Sequence, residues 1–369
     1  MIEIKEDSIL LIDGSKEYDL PFLWLRDNCQ CDECRIAETQ EKQFLLHSVP
    51  VDISPISAEE KDSKIYIVWP DNHQTVIPLD QIENSQQSRY PESISWPKVF
   101  MPQKFSWIDF INDKSVALSA LKTLARYGVF ILKDGPTESN SLELLSKRLG
   151  PIHEVLFERI HNVSVTGHIY NVAHTSKGLP PHNDFASYKY QPSIQALHML
   201  ENECDGGESI IVDGWQVAND LKKEKPDDFA ILNKFNVPFR EFDSSNETYA
   251  KAPLINCSSD GIIESFRFSN QLMQMVDPNQ DGLRDFYRAY HEVSSRVHDK
   301  KYQSTFRLNA GEALIVASLR VLHAREPFIP NGKRHLQDAY FCYDNAVNNI
   351  CLLYTSPSPR DQRGSGWAA

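Results

Sequence analysis

Short apolar runs broken by turn residues dominate the first part of the chain. Ile9-Leu10-Leu11-Ile12 stops at Asp13-Gly14, and Lys64-Ile65-Tyr66-Ile67-Val68-Trp69 stops at Pro70-Asp71. Both are antiparallel-strand signals. The stretch 84–93 is polar, lacks periodicity and contains Pro91. That places a linker at 85–97, between an N-terminal β domain (1–84) and a second unit (98–350). In the second unit Leu118, Leu121 and Leu124 recur at helical spacing over 116–126, and Gly128 ends that helix before a strand at 129–132. A helix follows over 142–149, stopped by Gly150. Then come a strand at 209–212, a polar helix from Trp215 to about Lys223, and an amphipathic helix carrying Leu283, Phe286, Tyr287, Tyr290, Val293 and Val297. Residues 306–312 read as strand and turn, and 314–317 as a strand leading to His323. Many short strands with a few covering helices predict a mainly β fold, a double-stranded β-helix or jelly roll. There is no internal repeat. The Ser/Pro/Gly-rich end, 351–369, has no apolar period and is expected to be a disordered or non-native tail.

Composition adds exclusions. Apolar residues are 41% and charged residues 24% of the 369, as in ordinary globular proteins. The 51 acidic against 38 basic residues, net charge −13, argue against nucleic acid or an anionic membrane surface as partner. No run approaches the roughly 18 apolar residues of a bilayer span. The start, Met1-Ile2-Glu3-Ile4-Lys5-Glu6-Asp7, has neither a signal core nor an Arg-rich amphipathic character, so a cytoplasmic location is expected. Seven cysteines, three of them crowded at Cys29, Cys31 and Cys34, suit metal-bound thiolates in a reducing compartment better than a disulfide framework.

The chemistry concentrates in two constellations. His182-x-Asp184 on one strand would put both side chains on the same face, since positions i and i+2 share it. His323, arriving from a distant strand, would complete a two-histidine, one-carboxylate set that ligates one face of iron(II) and leaves the other open. An isolated histidine is usually a core or surface residue, so the triplet gains force from its neighbours. Arg334, soon after His323, offers the planar fork that the far carboxylate of a 2-oxo diacid needs. Asp184 itself favours hydroxylation over halogenation, because a halide would need the position its carboxylate fills. The second constellation is Cys29-x-Cys31-x2-Cys34. With one histidine it would make a closed structural zinc site; spacing alone leaves His47 and His73 both open as the fourth ligand. Such a staple suits a small domain with little core. Gly206-Gly207-Glu208-Ser209 lacks the G-x-x-x-x-G-K-[ST] pattern and reads as a turn. No G-x-S-x-G occurs, and Cys204, Cys257 and Cys342 read as buried thiols.

On these residues the chain resembles the gamma-butyrobetaine dioxygenases, within the taurine dioxygenase superfamily of iron(II)/2-oxoglutarate oxygenases. The similarity covers nearly all of 20–349. It is carried by Leu23-Trp24-Leu25-Arg26-Asp27-Asn28-Cys29, Trp69-Pro70-Asp71-Asn72-His73, the H-x-D, Gly206-Gly207-Glu208-Ser209 with Val212-Asp213-Gly214, Arg320-Val321-Leu322-His323, and Arg334-His335-Leu336 with Ala339-Tyr340. The resemblance implies zinc on Cys29, Cys31, Cys34 and His73, and iron on His182, Asp184 and His323. It also implies 2-oxoglutarate on Arg334 with Leu197 packed beside it, O2 as second co-substrate, ascorbate as a reductant, and a homodimer. The implied activity is hydroxylation of an aliphatic C–H of a small polar or zwitterionic metabolite.

The chain also departs from that pattern. The family's aromatic cage for a trimethylammonium group corresponds to Phe157, His161, His174 and Tyr340 here, and two histidines are poorer partners for a quaternary cation. Asn171 is a further candidate substrate contact, and Asn270 a candidate for the substrate's anionic end. Ala317-Ser318-Leu319 stands where the family has Asp-Asn and an aromatic, and the family's basic C-terminal helix breaks off near Asn349. A different betaine, a phosphonate or a sulfonate as substrate stays open, as does a catalytically silent zinc-containing binding protein.

Overall fold

The computed structural model describes residues 1–85, 91–156, 158–164, 175–243 and 245–354. The chain divides into two units, residues 1–89 and 90–369. In the first, β1 (Ile2–Ile4), β2 (Ser8–Asp13) and β3 (Lys16–Pro21) form one antiparallel sheet, and α1 (Phe22–Asp27) follows. A second sheet, β4 (Ser57–Lys61), β5 (Lys64–Val68) and β6 (Gln74–Pro78), leads into α2 (Leu79–Asn84). Strand alternation sends Ile9 and Leu11 of β2, Leu20 of β3, Ile65 and Ile67 of β5 and Ile77 of β6 into one core with Trp69. The Trp69 indole N–H donates to Thr75 Oγ1 at 2.9 Å, so the ring is buried without an orphaned donor. Asn72, at φ 62, reverses the chain between β5 and β6 and sets His73 beside the turn.

The second unit begins with β7 (Lys104–Ser106), α3 (Trp107–Asn112), α4 (Lys114–Tyr127), β8 (Val129–Lys133), α5 (Ser146–Leu149) and β9 (His161–Ser164). Next come β10 (Leu179–His182), β11 (Ile194–Asn202), β12 (Asp205–Gly206), β13 (Ser209–Asp213), α6 (Gly214–Glu224) and α7 (Pro226–Leu232). Two hairpins, β14 (Val237–Phe242) with β15 (Glu247–Ala252) and β16 (Ile255–Cys257) with β17 (Ile263–Phe266), precede α8 (Leu283–His298). The chain closes with β18 (Gln303–Phe306), β19 (Ala313–Ala317), β20 (Val321–Arg325), β21 (Phe328–Ile329), β22 (Arg334–Phe341) and α9 (Tyr343–Tyr354).

Two sheets organise this unit: six strands in the order β7-β8-β19-β11-β22-β9 and four in the order β10-β20-β13-β18. The central strands β8, β13 and β19 read as near-continuous apolar runs because both faces are covered. On the six-stranded sheet Phe130, Leu132, Ala196, Ile315, Ala339 and Phe341 pack against α3, α4, α5 and α9. The intervening residues, among them Val129, Ile131, Leu314, Val316 and Leu336, face inward and meet Ile211, Phe306 and Val321 of the four-stranded sheet. Val212 and Leu322, on the other face of the smaller sheet, pack with α6, α7 and α8. Toward one end, the inward positions change from apolar to polar, and the chemistry sits there.

Several expectations change in detail. The 142–149 helix is a 3-10 turn over Ser141–Leu145 followed by α5. The proposed linker is tied down at its end: Trp96 is buried, stacks on Phe100 at 4.1 Å and donates to Tyr127 O at 2.7 Å. The α9 backbone runs to Tyr354, inside the stretch expected to be tail, and 355–369 lie outside the described residues. The turn expected at Gly206-Gly207 is instead the end of strand β12 and its link to β13; both glycines have positive φ, and a Cβ on Gly206 would sit 2.8 Å from Pro327 O. Among the described residues no helix is long and apolar enough to cross a membrane.

Candidate active site

β10 is an edge strand, which is why Pro180 and Pro181 fit in it. It pairs with β20 so that His182 lies directly opposite His323, and their rings come to 4.3 Å between centroids. Asp184 is not on the strand, contrary to the sequence expectation. β10 ends at His182, and Asp184 opens the following turn. The reason is Asn183, whose side chain and amide are wholly committed elsewhere: Nδ2 donates to Phe266 O at 2.7 Å and Ser318 O at 2.9 Å, and Oδ1 accepts from Phe268 N at 2.7 Å. With Asn183 anchored, Phe185 takes φ 52, a strained value for a bulky residue, and carries the chain away. Arg267 then holds the turn from below, donating to the carbonyls of Ala186, Tyr188 and Lys189.

The result brings the three ligand atoms within 4.8 Å of one another. His182 Nε2 is 3.2 Å from Asp184 Oδ1, and His323 Nε2 is 3.8 Å from Oδ2. Right-angle ligation with bonds near 2.1 Å needs separations of about 3 Å, so modest closure suffices for an ion. His182 Nδ1 lies 2.9 Å from Pro180 O, which makes it the protonated nitrogen and leaves Nε2 for a metal. Asp184 Oδ2 accepts from Gln195 Nε2 at 2.6 Å and from Tyr340 Oη at 2.7 Å. Its lone pairs are thus occupied, and Oδ1 is the oxygen offered to an ion. Burial alone would raise the Asp184 pKa; His323 and His182 reverse that and hold it far below the usual carboxylate range. Burial lowers the His323 pKa to about 4, with the neighbouring His182 adding to the effect. Burial and the nearby Asp184 and Asp338 push the Tyr340 hydroxyl well above its ordinary pKa, so it stays a donor.

These residues form one end of a cavity of about 520 Å³. Leu197, Leu314 and Leu336 line its apolar wall, with Arg334 and Arg325 beyond. Arg334, opposite Asn202 in the β11–β22 ladder, packs its guanidinium over the Phe328 ring at 5.1 Å, and its buried Nε has no hydrogen-bond partner among the described residues. Burial, and then the neighbouring Arg325, lower its pKa to about 10, so it remains a cation awaiting an anion. Arg325 also faces Phe328, while donating to Thr175 O at 2.6 Å and Lys177 O at 2.8 Å. Arg307 is fully engaged with the carbonyls of Asn202, Cys204 and Gly206.

His161 and Tyr340 line the cavity, whereas Asn270 does not. Its neighbours Ser269 and Gln271 do; Asn270 turns outward, exposed, and accepts from Tyr290 Oη at 3.2 Å. Phe157, Asn171 and His174 lie outside the described residues. Sequence reasoning passed over Gln195, Asp338, Arg325 and Glu241. The available signal was polar residues at inward positions of apolar strands, such as Gln195 between Ile194 and Ala196.

In the N-terminal unit the three thiols surround His73 Nε2, with Cys29 Sγ at 3.3 Å, Cys34 Sγ at 3.5 Å and Cys31 Sγ at 3.6 Å. Tetrahedral zinc with its usual bond lengths needs sulfur–nitrogen edges of about 3.6 Å, so the cluster fits the ion. His73 Nδ1 faces Glu33 at 3.3 Å, and Arg26 donates to Cys34 Sγ at 3.3 Å. Burial raises the thiol pKa at Cys29, but hydrogen bonds from the Cys31 amide and His73 overcome it and bring the value down to about 6. Burial drives Cys34 up to about 12. His47 is exposed and outside the cluster.

Comparisons with known proteins give the chain's relatives. Residues 97–340 match the taurine catabolism dioxygenase TauD, TfdA family, and residues 5–78 match the gamma-butyrobetaine hydroxylase-like N-terminal family. Gamma-butyrobetaine dioxygenase of Pseudomonas sp. (strain AK-1) is 30% identical over 344 residues, covering 90% of this chain and 89% of the relative. The Homo sapiens protein of the same name is 26% identical over 350 residues, covering 90% of each. Mitochondrial trimethyllysine dioxygenase of Gallus gallus is 25% identical over 349 residues, covering 90% of this chain and 82% of the relative. Among solved structures, a taurine dioxygenase from Burkholderia xenovorans superposes with a TM-score of 0.50 at 13% identity, covering 66% of this chain and 91% of that one, a likeness of fold.

Proposed function

From the premise that the chain belongs to the taurine catabolism dioxygenase TauD, TfdA family, we propose how its residues divide the work of an iron(II)- and 2-oxoglutarate-dependent dioxygenase. The enzyme hydroxylates an aliphatic C–H of a small metabolite, a reading supported by relatives named gamma-butyrobetaine dioxygenase. The observation that carries the assignment of roles is the convergence of His182, Asp184 and His323 in a cavity also lined by Arg334, whose buried Nε has no hydrogen-bond partner among the described residues. With iron(II) and 2-oxoglutarate bound, the centre supplies oxidative decarboxylation coupled to C–H hydroxylation.

The protein's own contribution is positioning. His182 and His323 offer Nε2, and Asp184 offers Oδ1 while Gln195 and Tyr340 fix Oδ2. Arg334 receives the far carboxylate of 2-oxoglutarate, and Leu197 packs against its methylenes. The apolar wall of Leu314 and Leu336 keeps water from that end. Unit 98–350 is the catalytic jelly roll. Residues 1–84 form a structural zinc domain on Cys29, Cys31, Cys34 and His73, and the assembly is a homodimer. The test is anaerobic addition of 2-oxoglutarate to iron(II)-loaded protein. Chelation through the keto and carboxylate oxygens gives a visible charge-transfer band, lost in His182→Ala and weakened in Arg334→Ala. No band in the wild type would overturn the assignment.

A further inference from the structure

Among the described residues four carboxylates line the cavity, Asp184, Asp338, Asp243 and Glu241, and Asp243 is taken up by the Ser245 and Asn246 amides at 2.6 Å. Asp184 is a ligand, and Asp338 accepts from Gln195 Nε2 at 3.2 Å while facing His161 Nδ1 at 3.5 Å. Glu241 stands apart. It lies on β14, opposite Thr248 of β15, and lines the cavity with its Oε2 buried and without a hydrogen-bond partner among the described residues. Its neighbour Arg240 offers no compensation, because that guanidinium is engaged with Glu247 at 2.9 Å. Glu241 shares the electrostatic field of the reaction centre: burial and then Asp184 raise its pKa to about 7, against the opposing pull of His161, His182 and a hydrogen bond from Ser187.

Two kinds of cation could enter such a cavity. A quaternary ammonium has no N–H, is held by aromatic faces, and would leave Oε2 as desolvated as before. Among the described residues the aromatic rings lining the cavity are Phe185, Tyr340 and the largely exposed Phe242: Phe185 meets Tyr340 edge-on at 5.0 Å, and the third member of that corner is the imidazole of His161, 6.1 and 5.6 Å from them. A primary or secondary ammonium, or a guanidinium, would instead give Oε2 a charge-assisted hydrogen bond in a water-poor site, where such bonds are strongest.

We infer that Glu241 is a specificity-determining residue that selects a substrate whose cationic end carries N–H donors over one bearing a quaternary ammonium. This deepens, and rests on, the oxygenase reading above. The C–H to be oxidised then belongs to an amine, amino acid or guanidino compound. The β14–β15 hairpin, by carrying Glu241, decides which cation reaches the iron.

The test is calorimetric titration of the full-length protein loaded with unreactive Mn(II) and 2-oxoglutarate, using matched pairs. The pairs are 4-aminobutanoate and its N-trimethyl form, and lysine and its Nε-trimethyl form, with arginine as the guanidinium probe. At least one N–H-bearing ligand should bind about tenfold or more tightly than its quaternary partner or, for arginine, than both quaternary ligands. Glu241→Gln should erase that preference, and Glu241→Asp should retain part of it. In turnover the Gln variant should show the loss in KM more than in kcat. Equal or tighter binding of the trimethylated members, no binding of any N–H cation, or a preference unchanged in Glu241→Gln would each overturn the inference. Selective amine binding without any 2-oxoglutarate turnover would count against the oxygenase reading while leaving Glu241 as assigned.

Discussion

Changing Tyr340 to phenylalanine removes one hydroxyl from the wall of the proposed metal centre and leaves the packing intact. The ring is buried edge-on against Phe185 at 5.0 Å, a contact that phenylalanine keeps. The hydroxyl donates to Asp184 Oδ2 at 2.7 Å, and Gln195 Nε2 at 2.6 Å is the other donor to that oxygen. A hydrogen bond to an ionised group contributes about 1.5–3 kcal/mol. Losing one of two donors frees the carboxylate to rotate and desolvates it less favourably. Removing partners of metal ligands typically costs about 10–100-fold in metal affinity. The expected result is therefore an iron(II) Kd raised by about that factor, roughly 1.4–2.7 kcal/mol. Anaerobic competition with a chromogenic chelator measures it, and zinc measured in the same samples should stay constant. Gln195→Leu should show an effect of the same order. An unchanged iron Kd in both variants would refute the argument that these donors fix Oδ2 and present Oδ1 to the ion. A parallel loss of zinc would mean general unfolding instead.

Three further outcomes are expected. Arg334→Lys keeps the charge but loses the bidentate fork, so the 2-oxoglutarate Kd should rise about 10–100-fold with iron binding unaffected; an unchanged Kd would move the carboxylate to another cation such as Arg325. Cys29→Ser should abolish stoichiometric zinc and lower the unfolding temperature of the N-terminal unit, followed by calorimetry and metal analysis; full zinc retention would remove Cys29 from the ligand set. His198 is buried beside Trp107, and burial lowers its pKa to about 4. Because that lies below the unfolded value near 6.5, the stability it contributes is complete above about pH 6.5 and is lost as pH falls toward 4. Between pH 7 and 4.5 the wild type should lose about 2–3 kcal/mol more than His198→Phe in urea unfolding; equal losses would contradict this.

The features readable in the sequence were the local ones. His182-x-Asp184 is a spacing within one short segment, and the Cys29/Cys31/Cys34 knuckle sits in a single loop. Pairing of His182 with His323 depends on which strands neighbour each other, which periodicity does not encode; it was inferred from the ligand chemistry and the nearby Arg334. The strand reading of H-x-D missed the turn at Asp184 because Asn183, the residue between the ligands, is anchored to backbone near Phe266 and Ser318 rather than to a neighbouring strand. Asn270 went astray for a related reason. In an irregular segment the adjacent residues Ser269 and Gln271 face inward, and one position decides whether a side chain meets cavity or solvent. Gln195, Asp338 and Tyr340 become a network only when β11 and β22 align them, and Glu241 arrives from a hairpin far from either ligand in sequence. Convergence of that kind is set by register.

His182, Asp184 and His323 are proposed to drive 2-oxoglutarate-coupled hydroxylation. The most direct measurement quantifies succinate and hydroxylated product together, in air, with iron(II), ascorbate and a panel of amines, amino acids and quaternary ammonium compounds. The account predicts succinate and product in equal amounts with at least one small cationic or zwitterionic substrate, and neither from His182→Ala with its zinc retained. Iron-loaded wild type that yields no succinate across the panel, or a His182→Ala variant that still turns over, would contradict it.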